Sequence, residues 1–210
     1  KIGDKIKLKL NPSKEHFLSK VDSGIEKNVA YWSGANGAQS ARCLIQYMED
    51  KKDPEQNLVL FYSNTKVAID GGNEVNNSDH LPVESLNVIY YHWLIDAAEK
   101  LDNLKVIFTF TREQDIPMAS KDSGVVFRKG RFFVNPDGTP EQTLSKYGNN
   151  IETSFNPVCG SSAFINGTVR LPDGTINKGK GILQNLIELE GIIPEKTDKE
   201  QFYLQQVGAN

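Results

Sequence analysis

Short apolar runs bounded by polar turns recur along the chain and alternate with longer stretches of helical periodicity. Runs of this length without a helical stripe predict buried strands. The predicted strands cover residues 28–32, 57–63, 104–110 and 151–158, with a last one at 201–205. Because parallel strands need a crossover connection, which is usually a helix, this alternation predicts an α/β fold. We expect a Rossmann-like parallel sheet flanked by helices on both faces.

Apolar residues spaced three and four apart predict the intervening helices. In the first of them, Ala41, Leu44, Ile45 and Met48 fall on one face. The predicted helices cover residues 38–50, 85–101 and 181–191, with a shorter one at 143–147. Gly191 stands where a helix C-cap is expected.

The N-terminal segment and two polar stretches do not follow this alternation. Lysines alternate with apolar residues over 5–10, which predicts a half-buried strand. The pattern leaves open whether that strand is an edge of this domain or the end of an upstream domain. The polar stretch 64–84 predicts a long loop. Pro172, Asp173 and Gly174 form a turn signal between two short apolar segments and predict a small hairpin.

Composition narrows the class of protein. The chain has 210 residues, 38% of them hydrophobic, which is enough for one large or two small domains. A net charge of −3 offers no broad basic field for nucleic acid. No apolar run approaches the roughly 18 residues that a membrane helix needs. We therefore expect neither a nucleic-acid partner nor a membrane segment.

The cysteines and histidines form no recognisable motif. Cys43 and Cys159 are far apart and lack metal-type spacing, so reduced, cytoplasmic thiols are the simplest interpretation. The three histidines belong to no catalytic triad or metal cluster. No metal site is predicted.

The turn after the first strand is the first candidate site. Gly34, Asn36 and Gly37 lie between that strand and the helix at 38–50. A strand, a glycine-containing turn and a helix together offer backbone N–H groups to a phosphate. The spacing differs from the full dinucleotide fingerprint, so a plain strand-to-helix turn fits the pattern equally well.

Positive charges follow the third strand and form the second candidate site. Thr111 and Arg112 come directly after that strand, and a fork-shaped cation beside a hydroxyl suits a phosphate. A solvated pair of Arg112 with the glutamate that follows it is the alternative. Further along, Arg128, Lys129 and Arg131 add three positive charges around a glycine.

The third candidate is the segment that starts at Cys159. This thiol, Gly160 and Ser161 follow a predicted strand and open a narrow, polar loop. Ligands of open α/β sheets bind beyond the carboxyl ends of the strands, and a glycine there lets a ligand approach the backbone. Taken alone, packing is the more common reason for a cysteine at such a position.

The order of these segments resembles the ferredoxin–NADP reductase-like family over nearly the whole chain. The Cys-Gly-x-x-x-apolar motif at 159–164 and the Thr-Arg-Glu-Gln turn at 111–114 are its most specific parts. The N-terminal strand is similar to the closing strand of that family's flavin domain, and 32–40 to its Gly-rich pyrophosphate turn. Two positions depart from the family pattern, since Ala35 replaces a glycine and Ser40 a helix-starting proline.

The resemblance implies an NAD(P)H-dependent flavin oxidoreductase that transfers hydride between NADPH and FAD, with NAD(H) as an alternative cofactor. Residues 1–24 would be the closing strand and linker of a truncated FAD-binding domain. Residues 25–210 would be the NAD(P)-binding domain, with insertions near 64–84 and 171–181. The chain would be inactive without the upstream FAD domain of the same polypeptide. Its other partner would be an unknown electron-acceptor protein or small molecule.

The resemblance also implies roles for single residues. Thr111 and Arg112 would bind the 2′-phosphate of NADP(H), assisted by Arg131 or Lys129. Gly34, Asn36 and Gly37 would face the pyrophosphate. Cys159 and Gly160 would be the catalytic residues beside the nicotinamide, and Ser161 would help to bind the cofactor.

Two further hypotheses fit the same residues. A non-catalytic domain of the same fold, with a degraded dinucleotide site and insertions used for protein contacts, would explain Ala35 and Ser40. A nucleotide-sensing regulatory module would bind nucleotide without redox chemistry. Reduction of a flavin by NADPH separates the oxidoreductase from both alternatives.

Overall fold

A computed structural model describes residues 27–34, 37–64, 89–111, 124–148, 154–171, 173–192 and 202–206. The strands, in chain order, are β1 (Asn28–Gly34), β2 (Asn57–Asn64), β3 (Leu104–Phe110), β4 (Val125–Lys129), β5 (Ser154–Gly160), β6 (Thr168–Arg170), β7 (Ile176–Lys178) and β8 (Phe202–Gln206). The helices are α1 (Ala38–Lys51), α2 (Tyr91–Lys100), α3 (Thr143–Tyr147), α4 (Ser162–Asn166) and α5 (Ile182–Glu190).

Six of the strands form one sheet in the order β4–β3–β2–β1–β5–β8. Every pair of neighbours in it is parallel. The remaining two, β6 and β7, pair with each other as an antiparallel hairpin. The predicted α/β class, with a parallel sheet flanked by helices, is confirmed, and so is the predicted hairpin.

Helices cover both faces of the sheet, and the core is therefore divided in two. On one face Tyr31, Leu60 and Phe108 pack with buried residues of α1 and α2, such as Leu44 and Leu94. On the other face the alternate residues of the same strands pack with α3, α4 and α5; they include Trp32, Phe61 and Ile107. Burial on both faces explains why the strands read as unbroken apolar runs.

Aromatic rings fill the second face of the sheet. Trp32 stacks on Phe61 with their ring centroids 3.9 Å apart, and on Phe133 at 5.1 Å. Phe132 meets Trp32 edge-on at 5.5 Å. The indole N–H of Trp32 donates to Oδ1 of Asn156 at 3.2 Å, which satisfies its polar atom within the core. This cluster supports the strand ends where the candidate site lies.

Three features differ from the sequence prediction. The helix predicted over 85–101 begins at Tyr91, because Tyr90 has a left-handed backbone with φ of 63°. Strand β4 and helix α4 were not predicted; the first ends in charged residues, and the second is only five residues long. Strand β5 runs through Gly160, so the loop expected from Cys159 onward begins later.

Several predictions concern residues outside the described part. They are the N-terminal strand, the domain boundary at 24, the long loop at 64–84 except for Asn64, which ends β2, and the start of the helix at 85–88.

No helix in the described segments is long and apolar enough to cross a membrane.

Candidate functional site

The candidate site lies where the strand order reverses. From β1 the chain builds the sheet outward through β2, β3 and β4, and then crosses back to place β5 on the other side of β1. Ligands of open α/β sheets bind at this reversal, beyond the carboxyl ends of the strands. A cleft of about 660 Å³ opens there. Its volume falls within the roughly 300–1,000 Å³ typical of small-molecule sites.

Residues at the ends of five neighbouring strands form the floor of the cleft. They are Gly34 at the end of β1, Ser63 and Asn64 at the end of β2, Thr111 after β3, Arg131 and Phe132 after β4, and Ser161 after β5. The wall comes from α4, the hairpin and the start of α5. It consists of Ala163, Phe164, Gly167, Val169, Asn177, Gly179, Lys180, Gly181, Ile182 and Asn185.

The charge of the cleft is positive. Arg131 and Lys180 line it, and the described lining residues include no carboxylate. Lys180 pairs with Glu188, whereas Arg131 forms no ion pair with any described residue. The other polar groups of the lining are hydroxyls and amides, which are neutral donors. This combination suits an anionic ligand that also carries polar groups, as phosphates and their esters do.

The turn after β4 places Arg131 in the cleft. Gly130 has φ of 84°, a left-handed conformation that favours glycine. Its N–H donates to the carbonyl of Phe110 at 3.0 Å, and its carbonyl accepts from Oγ1 of Thr109 at 2.7 Å. Arg131 is therefore held beside the end of β3, where Thr111 lies.

Arg128 does not contribute its charge to this cleft, contrary to the grouping made from sequence. Its guanidinium is buried and pairs with Glu141 at 2.5 Å. It also donates to the carbonyls of Arg131 at 3.1 Å and Val134 at 3.0 Å. Strand alternation turns this side chain inward, so Arg128 positions the segment that carries Arg131.

Glu141 completes the buried network under that segment. It accepts from Lys146 at 2.6 Å and from the hydroxyl of Thr143 at 2.9 Å, in addition to the pair with Arg128. Burial opposes its negative charge, but the hydrogen bond from Lys146 and the charge of Arg128 together hold the pKa of Glu141 below its ordinary value. Its carboxylate is therefore charged at neutral pH and fixes the loop.

The predicted phosphate residues are brought together only in part. Thr111 lines the cleft and donates its N–H to the carbonyl of Asn64 at 3.0 Å. Lys129 is exposed at the end of β4 and does not line the cleft, so Arg131 is the better placed of the two. Arg112 and Asn36 lie outside the described residues.

Gly37 has a packing role at the start of α1. A Cβ atom on Gly37 would lie 2.4 Å from the carbonyl oxygen of Cys159. The helix therefore approaches β5 more closely than any side chain would allow. Close helix–strand packing is one of the known uses of glycine in dinucleotide folds. Contact between Gly37 and a pyrophosphate stays a prediction.

A buried hydroxyl lies beside this turn. The Oγ of Ser33 is fully buried and has no hydrogen-bond partner among the described residues. It lies 3.1 Å from the position that a Cβ of Gly37 would take, next to the start of α1. Buried hydroxyls are normally paired, and residues 35 and 36 of this turn lie outside the described part of the chain.

Cys159 lies in the core and outside the cleft lining. It is 1% exposed and belongs to the core on the side of α1 and α2. Burial raises the pKa of its thiol, although hydrogen bonds with Tyr31 and Ser40 act in the opposite direction. A neutral, enclosed thiol is a poor nucleophile. The geometry supports the packing interpretation, and a catalytic role for Cys159 stays a prediction.

Gly34 and Gly160 share a function that the sequence did not reveal. A Cβ on Gly34 would lie 2.9 Å from Cγ of Phe164, and one on Gly160 would lie 2.7 Å from its Cδ1. The ring of Phe164 therefore covers the backbone of both glycines, where the sequence predicted the approach of a ligand. The ring and Gly34 both line the cleft, whereas Gly160 does not, so a ligand can reach Gly34 only beside this ring.

Ser161 lies in the cleft and also caps a helix. Its Oγ accepts from the N–H of Phe164 at 3.3 Å at the start of α4. The side chain is exposed, and its hydroxyl proton remains available for a ligand. The role expected for Ser161 is therefore compatible with its position.

Several residues that line the cleft were not predicted from the sequence. Ser63 and Asn64 lie at the carboxyl end of a predicted strand. That position could have identified them, because ligands of parallel sheets bind beyond the carboxyl ends of the strands. Val169, Asn177 and Lys180 lie on the hairpin or just after it. Nothing in their local sequence indicates that the hairpin folds over the strand ends.

No protein-family model matches this chain, and no curated protein is similar enough to it to be counted as a relative.

Proposed function

We propose that this chain is the NADP(H)-binding portion of an FAD-dependent oxidoreductase that transfers hydride between NADPH and a flavin. The observation that carries the nucleotide part is the cleft at the reversal of strand order. Two cations and several neutral donors line it, and its described lining includes no carboxylate. The oxidoreductase part rests on the order of sequence motifs, above all 111–114 and 159–164.

In this proposal Thr111 and Arg131 hold the 2′-phosphate, together with Arg112 as predicted from the sequence. Each hydrogen bond from a cation to a phosphate contributes about 1.5–3 kcal/mol. Two such bonds are enough to select NADPH over NADH, which lacks that phosphate.

The pyrophosphate in this proposal lies at the turn between β1 and α1. The start of α1 supports this placement, because the first N–H groups of a helix have no partner within the helix. The positive end of the α1 dipole acts in the same direction. Gly37 holds the helix close to β5 and fixes the position of that end.

When bound, NADPH supplies a hydride; the residues of this chain bind and orient it. Phe132, Phe164, Val169 and Ile182 give the cleft an apolar lining, which excludes water from the bound ring. The flavin would be held by the upstream domain of the same polypeptide, in a cytoplasmic setting where Cys43 and Cys159 stay reduced.

A second candidate function is nucleotide sensing without redox chemistry. The observations that favour it are the enclosed thiol of Cys159 and the ring of Phe164 over Gly34 and Gly160. Both place protein atoms where the family motif is expected to meet the nicotinamide. A chain of this kind would bind the nucleotide and pass the signal to a partner.

Calorimetric titration of the chain with NADP⁺ and separately with NAD⁺ tests the nucleotide part. We expect NADP⁺ to bind and NAD⁺ to bind at least about tenfold more weakly, the ratio that 1.4 kcal/mol produces. Failure of both to bind would contradict it. A polypeptide that includes the flavin domain then decides between the two functions, because only the oxidoreductase reduces its flavin with NADPH.

A further inference from the structure

The hairpin of β6 and β7 forms a wall of the cleft. Val169 and Asn177 are directly opposite each other in the hairpin register, and both line the cleft. Ile176 is adjacent to Asn177, so strand alternation turns it to the opposite face. One face of the hairpin thus presents an apolar side chain and an amide side by side to the space above the strand ends.

The base of the hairpin is fixed by backbone contacts. The N–H of Gly179 donates to the carbonyl of Gly167 at 2.8 Å. A Cβ on Gly167 would lie 2.2 Å from the carbonyl oxygen of Gly179, and one on Gly181 would lie 2.3 Å from that of Ile165. The two ends of the hairpin therefore cross with no room for side chains, and this crossing sets its direction over the cleft.

The cleft face of the hairpin has apolar surface that no residue of the described segments covers. Val169 is 44% exposed although it lies in a strand. An isolated two-stranded hairpin is marginally stable in water, so this one gains from any group that packs against that face. The space in front of Val169 and Asn177 is the cleft itself.

We propose that Val169 and Asn177 recognise a heteroaromatic ring of the bound nucleotide, with Val169 against the ring face and the Asn177 amide at its edge. The chemistry fits because a nucleotide base has a flat apolar face and a rim of donors and acceptors. The cations of the cleft hold its phosphates, and the hairpin holds the base. This proposal rests on the nucleotide function proposed above.

The test compares three single variants of the full chain by calorimetric titration with NADP⁺. Val169→Ser and Asn177→Ala each weaken binding by about fivefold to tenfold, as expected for one lost apolar contact or hydrogen bond. Ile176→Ser is the matched control, since Ile176 is 56% exposed on the opposite face. It leaves the affinity within about twofold, well below the effect of one lost contact. Thermal unfolding confirms that all three variants are folded.

The same titrations with 2′,5′-ADP and with nicotinamide mononucleotide identify the ring. The half that loses affinity in Val169→Ser is the half that the hairpin holds. If wild-type protein binds NADP⁺ and both cleft-face variants bind it as tightly as Ile176→Ser does, the hairpin proposal is wrong and the nucleotide function stands. If wild-type protein binds none of these nucleotides, both proposals are wrong.

Discussion

Lys129 and Arg131 stand two residues apart, yet only Arg131 reaches the cleft. Gly130 turns the chain between them, and Arg128 and Glu141 hold that turn from below. A cation on a fixed backbone loses less freedom on binding an anion than a cation on a mobile one. Selectivity for a phosphate is therefore expected from the position of Arg131 more than from the number of positive charges nearby.

Arg131→Ala is expected to weaken NADP⁺ binding by about tenfold or more, because it removes a charge-assisted bond to the 2′-phosphate. NAD⁺ lacks that phosphate, so its affinity should change little. Arg112→Ala, an expectation from the sequence, should show the same selectivity. Lys129→Ala is the control on the same turn and should bind like the wild type. Calorimetry would contradict the role of Arg131 if both nucleotides lost affinity equally.

Cys43 and Cys159 are expected to differ in reactivity. Cys43 is exposed on α1, whereas Cys159 is buried and its pKa is raised. A thiol reagent such as Ellman's should label Cys43 rapidly in the native protein and Cys159 only after unfolding. Cys43→Ser should therefore be almost unreactive until denaturant is added. Rapid native labelling of Cys159 in this variant would show that its thiol is accessible after all.

The close contact between α1 and β5 depends on Gly37, which has no side chain. Gly37 begins α1 directly over the carbonyl of Cys159, and Ala38 and Ala41 continue the close approach with small residues. The helix start thus comes next to the carboxyl ends of β1 and β5. The same packing that stabilises the fold places the positive end of the helix at the candidate site.

Gly37→Ala should destabilise the protein by about 1–3 kcal/mol, the usual cost of overpacking, because the new methyl group would meet backbone that cannot move aside. It should also weaken nucleotide binding, since α1 has to shift away from β5. Gln39→Ala, on the exposed side of the same helix turn, is the control and should change neither property. Urea unfolding and calorimetry measure the two effects, and an unchanged unfolding free energy would contradict the packing role.

A buried ion pair links β4 to the segment before α3. Removing one partner of such a pair leaves an uncompensated charge and costs about 3–5 kcal/mol. Glu141→Gln is therefore expected to lower the free energy of unfolding by an amount of that order at neutral pH. Glu99→Gln is the control, because Glu99 is an exposed carboxylate on α2.

Wild type and Glu141→Gln differ in their free energy of unfolding, and the pH dependence of that difference follows from the lowered pKa of Glu141. A group whose pKa is lower in the folded state stabilises the protein above its ordinary pKa and loses that contribution as the pH falls through the folded-state value. The difference between wild type and Glu141→Gln should therefore be largest near neutral pH and shrink in acid. A difference that grew in acid would contradict the pairing of Glu141 with Arg128.

At the scale of the whole molecule, the pattern of apolar residues predicted five of the six strands of the sheet and most of its described helices. This prediction succeeded because strands that are buried on both faces consist of unbroken apolar runs, which are easy to recognise in a sequence. The prediction failed where the conformation or burial of a single residue differs from what its neighbours in the sequence suggest. Tyr90 continues the apolar stripe of α2 but has a left-handed backbone. Arg128 was grouped with the charges of the candidate site, but its side chain is buried.

The candidate site was predicted less completely, because it is assembled from distant segments. Gly34, Thr111 and Ser161 were predicted and line the cleft, since each follows a predicted strand and the ends of parallel strands share one edge. Arg131 was predicted from the positive charges around a glycine, because its own strand β4 was not predicted. The Phe164 ring packs on Gly34 and Gly160, and the hairpin folds over the strand ends, through contacts between residues that are distant in sequence. No local pattern carries that information.

The fluorescence of Trp32 can report on the floor of the cleft. Its indole stacks on Phe61 and meets the edge of Phe132, whose own ring lines the cleft. A ligand seated against Phe132 would change the polarity around the indole and shift its emission. The chain's other tryptophan, Trp93, lies in the core cluster on the opposite side of the sheet, and replacing it with Phe would isolate the signal. Occupancy of the cleft could then be followed in real time without any attached dye.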